Sequence, residues 1–245
     1  MRVAIVGGGL SGRAIEQAVR GRGAATEMFS RATGFDILRD DAAQHIGHAD
    51  VIVEATGHFT TSKKAATNFF SASTRAVADA ARTLGATHIL LSIVNCELPE
   101  VQRYGYFVGK AMQERIAREE SPDLILVRST QWFEYARQNL ERMKAGPFAL
   151  VPGMSIKPVA LSSVADVIAE CATGVRSGTS YEIAGPEVTT LWQMTTQLPD
   201  KGVIPVPLPI PGRMGRAFRE GILTPGDQAE IVGPRFSEWL THRDN

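Results

Sequence analysis

Along the first half of the chain, short runs rich in β-branched and other apolar residues alternate with longer amphipathic stretches. The short runs at 3–6, 26–29, 51–55, 88–91 and 124–127 predict strands, and the stretches at 11–20, 62–84 and 107–120 predict helices. Strands of four or five apolar residues, with helices between them, indicate βαβ units and a parallel sheet covered on both faces. Because such crossovers are right-handed, the pattern predicts a doubly wound sheet in the order 3-2-1-4-5-6.

From about Gly146 the texture changes. Prolines multiply (Pro147, Pro152, Pro158, Pro205, Pro207, Pro209, Pro211), and strand-like pieces such as 181–184 stand isolated. The segment 203–211 alternates apolar residues with proline, which excludes a central strand or a helix. Ser163, with Asp166 three residues on, reads as a capping box opening a helix over 164–171. The expected organisation is an α/β unit over residues 1–145. A smaller lobe over 146–245 packs on the same domain beside the carboxyl edge of the sheet.

Composition narrows the function. In 245 residues, Lys+Arg and Asp+Glu each number 26, so the formal net charge is zero. A nucleic-acid partner would call for a basic excess, whereas a small anionic ligand needs only a local group of donors. The two cysteines, Cys96 and Cys171, are too few and too far apart for a disulfide framework or a zinc site. His45 and His48 lack a third ligand and read as surface residues, so no metal is expected. The first strand runs straight into glycines with no leader pattern, and no apolar run approaches the ~18 residues of a membrane span. The expectation is a cytoplasmic protein with a small-molecule substrate and no membrane or nucleic-acid partner; its oligomeric state is left open.

The strongest chemical signal is Gly7-Gly8-Gly9-Leu10-Ser11-Gly12. Gly7, Gly9 and Gly12 form G-x-G-x-x-G directly after a strand and at the start of a helix, the context in which a dinucleotide diphosphate meets a helix N-terminus. Gly7, Gly9, Leu10, Ser11 and Gly12 are therefore the candidate diphosphate residues of a Rossmann-type fold. At the carboxyl end of the second strand, Ser30 and Arg31 offer a hydroxyl and a guanidinium, which suit a ribose 2′-phosphate. Glu27 lies at about the distance expected of a diol-binding acid, but inside the strand. NADP(H) is favoured and NAD(H) stays possible.

A second constellation follows. The strand 88–91 ends at Ser92, and Tyr106 and Lys110 stand one helical turn apart on one face of the next helix. A neighbouring ammonium would lower a phenol pKa from its usual value near 10. Tyr106 could then give a proton to a carbonyl oxygen that Ser92 polarises, while Lys110 also holds ribose hydroxyls. Tyr104 competes as the acid, but Val108, not a lysine, stands four residues after it.

These residues resemble a short-chain dehydrogenase/reductase, specifically the atypical NmrA-like, NAD(P)H-binding branch. The resemblance rests on Gly7 to Gly12, Leu91-Ser92-Ile93-Val94, Tyr106 to Lys110 with Gln113-Glu114, and Val127-Arg128-Ser129-Thr130-Gln131-Trp132-Phe133. It extends to Lys157-Pro158-Val159, Ala165-Asp166-Val167 and Tyr181-Glu182-Ile183-Ala184-Gly185-Pro186-Glu187. It implies that Thr56, Gly57, Ser92, Arg128 and Ser129 line the cofactor, and that the chain reduces a small carbonyl, enone or quinone. Two positions depart from the pattern: Val6 stands where the first glycine of the atypical loop falls, and Asn68 comes early for the catalytic asparagine. Some relatives bind NADP as regulators without catalysis, which is the competing reading. A nucleotide-sugar epimerase or dehydratase fits less well with a short chain and a small second lobe. Trp132, Phe133 and Tyr135 fall where a substrate pocket could sit, or belong in part to the core, and His58, after the strand end, is the weaker candidate for a place beside the cofactor. The basic segment 213–219 reads equally as a lid, a subunit contact or plain surface.

Overall fold

In the computed structural model, which describes residues 1–243, the first half alternates strictly. It runs β1 (Arg2–Val6), α1 (Leu10–Gly21), β2 (Ala25–Phe29), α2 (Ala42–Ile46), β3 (Val51–Glu54), α3 (Lys63–Leu84), β4 (Thr87–Ile93), α4 (Gly105–Glu120) and β5 (Leu124–Ser129). Then follow α5 (Tyr135–Arg142), β6 (Lys144–Ala145), β7 (Phe148–Pro152), β8 (Ser155–Ile156), α6 (Leu161–Ala172), β9 (Ser180–Ala184) and β10 (Thr189–Thr190). The chain closes with α7 (Leu191–Gln197), β11 (Ile204–Leu208), α8 (Gly212–Arg219), β12 (Glu230–Ile231) and α9 (Phe236–Arg243). Among the described residues no helix is long and apolar enough to cross a membrane.

Seven parallel strands form the central sheet in the order β12-β9-β5-β4-β3-β1-β2. On one face Ile15 and Val19 of α1 and Val164, Ala165 and Ile168 of α6 pack with Val3, Ile5, Val53 and Ile89. On the other, Val77, Ala80 and Ala81 of α3 pack with Ala4, Val6 and Ile52, and Ala117 of α4 with Leu90 and Leu126. Both faces are covered, so this is the doubly wound Rossmann-type architecture that the run pattern predicted.

The strand order differs from 3-2-1-4-5-6 in one respect: among the described residues nothing pairs outside β2, which is the sheet edge, and the third strand lies on the other side of β1. After β2 the chain makes a 3₁₀ turn at Arg31–Thr33 and the short helix α2, capped by Asp41 accepting from Gln44 N. It then crosses to the far side of β1. Residues 30–41 hold only Phe35, Ile37 and Leu38 as large apolar residues, and Phe35 is used edge-on against Phe29 at 5.7 Å. No run remains to build another strand.

Residues 181–184 are not isolated. They lie in β9, which pairs with β5 from Leu126↔Ser180 to Ser129↔Ile183 and then receives β12. The chain beyond residue 146 therefore adds β7 and β11 to β6 in a small sheet and also returns, through α6, to complete the large one. Pro205 and Pro207 sit in β11, an edge strand, where a missing N–H costs least. Ser163 does not cap α6. That helix starts at Leu161 with Ala160 as N-cap and no side-chain acceptor. Leu161 and Val164 are both buried, so packing against the core sets the helix start.

Candidate cofactor and catalytic site

The loop between β1 and α1 lies at the carboxyl edge where the sheet reverses direction, since β2 pairs on one side of β1 and β3 on the other. Crevices at such switch points are where open α/β sheets bind ligands. Gly7 has φ +121°, and a Cβ there would stand 2.5 Å from Ala55 O. A Cβ on Gly12 would stand 1.8 Å from Gly7 O, so only glycine lets α1 press against the loop. Gly9 is different: a Cβ there would meet nothing of the protein within 4 Å. Gly9 is also the N-cap of α1, with no side-chain acceptor and no acidic residue in the first turn, so the first N–H groups of the helix lack a capping side chain. Exposed Leu10 and buried Ser11 open that helix. The loop is thus a cradle with bare backbone and a positive helix end, which fits a diphosphate.

Ser30 follows β2 directly beside the loop; its Oγ would lie 2.7 Å from a Cβ placed on Gly8. That hydroxyl oxygen is buried without a hydrogen-bond partner among the described residues, and the next residue, Arg31, is exposed. Thr56 and Gly57 leave the end of β3. Thr56 Oγ1 donates to Glu54 Oε1 at 2.9 Å and accepts from Gln113 Nε2 at 3.3 Å.

At the other end of the crevice, Tyr106 and Lys110 do share a face of α4, the face turned to α3. Gly105 and Gly109 permit this approach: a Cβ on the first would meet Thr61 O at 2.6 Å, and one on the second Phe70 Cδ2 at 2.5 Å. The Phe70 ring packs against both residues, 5.9 Å from the Tyr106 ring centroid and 5.3 Å from Lys110 Nζ. Lys110 is buried, and its ammonium turns inward to donate to Leu91 O at 2.8 Å and to Gln113 Oε1. The expected lowering of the Tyr106 pKa is therefore not found. Burial among Phe59, Phe70 and Phe107 pushes that phenol up to about 12, against a smaller pull from Arg142. Burial also lowers the Lys110 pKa, opposed by the Glu54 charge. Ser92 is buried, with Oγ 4.0 Å from Cys96 Sγ.

Sequence reasoning missed the polar cluster that holds these elements together. Glu54, fully buried in β3, accepts at Oε1 from Thr56, from Thr74 at 3.0 Å, from Ser73 at 3.4 Å and from Gln113 at 2.7 Å. Its Oε2 faces His88 Nε2 at 3.3 Å, off the line of a formed hydrogen bond, while His88 Nδ1 meets Ser121 Oγ at 2.7 Å. Burial alone would raise the Glu54 pKa; His88 and Lys110 outweigh it and hold the carboxyl below its ordinary 4.5. A glutamate inside an otherwise apolar run was the available signal, because a strand covered on both faces has no solvated side for a charge.

Arg128 is engaged within the chain as well. It grips Glu114 from Nε at 3.0 Å and Nη2 at 2.6 Å, and its Nη1 lies 3.6 Å from Glu182, which ties β5 to α4 and β9. Ser129 is buried and accepts from Trp132 Nε1 at 2.9 Å. His58 is exposed and packs on Phe69 at 5.1 Å. Asn68, His45 and His48 are exposed, and no metal-holding group of side chains occurs among the described residues. Both cysteines are free and buried. The 213–219 segment is helix α8, with Ala217 and Phe218 buried and Arg213, Arg216 and Arg219 outward.

No family model matches the chain, and no curated protein matches its sequence. Among solved structures the fold is shared. A dTDP-4-dehydrorhamnose reductase from Bacillus anthracis in complex with NADP superposes with a TM-score of 0.71 at 13% identity, over 98% of this chain and 97% of that one. An NADPH-dependent quinone oxidoreductase from Escherichia coli complexed with NADPH gives 0.66 at 14% identity, over 99% and 100%. A UDP-N-acetylglucosamine 4-epimerase from Bacillus cereus gives 0.68 at 11% identity, over 99% and 94%. At these identities the likeness is one of fold.

Proposed function

We propose that this chain is an NAD(P)H-dependent oxidoreductase of the short-chain dehydrogenase/reductase kind, close to the NmrA-like branch, that prefers NADPH and reduces a small carbonyl, enone or quinone. The observation that carries the reading is the glycine cradle. Gly7 and Gly12 are required by contacts inside the protein, whereas Gly9 is required by none, so its missing side chain is best explained by a ligand approaching the backbone. Gly7, Gly9, Leu10, Ser11 and Gly12 would hold the diphosphate against α1. Ser30, with its unpartnered hydroxyl, and Arg31 would take the 2′-phosphate. Thr56, Gly57, Ser92 and Ser129 would border the remainder. Lys110 and Arg128 enter as positioning residues, since their charged ends fasten α4 to β4 and to β5.

A dihydronicotinamide bound there supplies hydride chemistry. Of the chain's own groups, Tyr106 gives the proton at the acceptor oxygen and Ser92 hydrogen-bonds that oxygen. A phenol near 12 stays protonated throughout the neutral range, so Tyr106 serves as an acid and not as a base. That favours reduction over alcohol oxidation. One observation favours the competing reading, a non-catalytic NADP-binding sensor: Lys110 is committed to Leu91 O and not to the phenol.

Titration with NADPH and NADH, followed by nucleotide fluorescence, then addition of an aldehyde and quinone panel, tests the reading. NADPH should bind about tenfold more tightly than NADH and be oxidised by an acceptor in the panel. Tyr106→Phe should lower turnover about 100-fold or more at nearly unchanged nucleotide affinity. Binding without oxidation would establish the sensor, and failure to bind either nucleotide would overturn both readings.

A further inference from the structure

Of the chain's four tyrosines, Tyr104 and Tyr135 pack against one core cluster with Phe107, and Tyr106 adjoins them across Phe107 and Phe59 of the loop after β3. Phe59 of that loop lies 6.3 Å from the Tyr104 ring centroid and 6.0 Å from that of Tyr106, and Phe107 backs Tyr104 at 5.9 Å. Arg142 stands two turns along α5 from Tyr135, and its guanidinium carbon sits 4.7 Å from the Phe59 centroid. It is close enough to draw down all three phenols against the larger effect of burial, which raises each of them.

Two features of this cluster suit it to a ligand. None of the three hydroxyls is among the buried unpartnered atoms of the described residues, and all three tyrosines are only partly buried, so their hydroxyls are open to solvent and free to donate to a ligand. Arg142 is exposed and lies over the Phe59 ring, so its guanidinium is also open to a ligand. In addition Phe59, a large aromatic, stays 47% exposed on this wall. The polar groups are therefore phenolic hydroxyls and a guanidinium, able to donate together, and they are set among aromatic rings. Apolar walls strengthen a charge-assisted hydrogen bond, and a guanidinium fork matches a carboxylate in a way that an ammonium does not.

We infer that Phe59, Tyr104, Tyr135 and Arg142 form an acceptor subsite for a planar aromatic acid. The ring of the acid packs on Phe59 and Tyr104, and its carboxylate is taken by Arg142. The inference rests on the reductase reading, because Tyr106, the proposed acid, borders the same cluster and would meet a reducible group on the same molecule. It narrows the acceptor from any small carbonyl to an aromatic one that carries a negative charge. Tyr104, passed over as the proton donor, becomes a specificity residue.

The test compares 4-carboxybenzaldehyde with its neutral methyl ester. Binding of each is measured calorimetrically to protein saturated with NADP⁺, where no turnover occurs, and again without nucleotide. The acid should bind about tenfold or more tightly than the ester. Arg142→Gln, at an exposed position, should abolish that preference while ester binding and nucleotide affinity stay unchanged. Arg142→Lys should restore only part of the preference, since the charge is kept but the fork is lost. Tyr104→Phe and Tyr135→Phe should each weaken acid binding several-fold. Equal binding of acid and ester, or a preference that survives Arg142→Gln, would overturn the subsite. The nucleotide titration reports separately: loss of NADPH binding with the acid preference intact would fault the reductase reading and leave the anion site standing.

Discussion

The two ends of the crevice are built on opposite principles. At the β1–α1 loop, polar groups are left unsatisfied among the described residues: the first turn of α1 has no capping side chain, Ser30 Oγ has no partner, and Gly9 faces open space. At the β3–β4–α4 end the polar groups are bound to one another. Glu54 accepts four hydrogen bonds, Lys110 is tied to Leu91 O and Gln113, and Arg128 is clamped on Glu114. The first arrangement suits an outside anion. The second spends its polar groups, Thr56 included, on holding strands and helices in place. Charged residues near a candidate site are thus not all candidate ligand contacts, and burial with full partnering marks those that position others.

Substitutions at the two ends sharpen the contrast. The largest effect is expected at Gly12→Val, whose Cβ would lie 1.8 Å from Gly7 O; it should abolish nucleotide binding and lower the melting temperature. Gly9→Ala should leave the melting temperature unchanged and weaken only the nucleotide, and a matched loss of stability would refute the open-cradle account. At the closed end, Glu54→Ala strands His88, Thr74, Gln113 and Lys110 around an uncompensated site, with an expected cost of about 3–5 kcal/mol in denaturant unfolding.

The same carboxylate gives a pH signature. Its folded pKa is held below the ordinary 4.5, so its contribution is complete above that pH and disappears as pH falls through the folded value. Unfolding midpoints of the wild type should therefore drop more steeply below pH 4.5 than those of Glu54→Gln; parallel curves would remove Glu54 from the account. A smaller change is expected at the ribose: Arg31→Gln should cost about tenfold in NADPH affinity and leave NADH alone, read by fluorescence titration. The smallest is Ser163→Ala. Because Ala160, not Ser163, is the N-cap of α6, stability should move by less than about 0.5 kcal/mol.

Much of the fold was legible because burial on both faces leaves a plain trace. The β1, β3, β4 and β5 runs are apolar, or nearly so, and the glycine motif is spaced by steric need. The strand order was less legible. A missing edge strand is an absence of pattern over 30–41, and the return of 180–184 to the large sheet depends on α6 finding the opposite face. The α6 cap misled for a related reason, since Ser and Asp at the right spacing were overruled by the burial of Leu161. In the candidate site, Tyr106 and Lys110 were placed correctly on one helix face. Which way the ammonium points depended on Leu91 O, nineteen residues away in the chain.

By itself, then, the sequence determined the local decisions: where strands run, where only glycine is tolerated, and where α1 begins beside the loop. Those follow from neighbours within a few residues and from hydrophobic burial, which composition and spacing record directly. The tertiary structure alone decided the electrostatics. Whether a phenol rises to about 12, whether a lysine is spent inside the protein, and whether three tyrosines meet one arginine all depend on distance and dielectric between segments far apart in the chain.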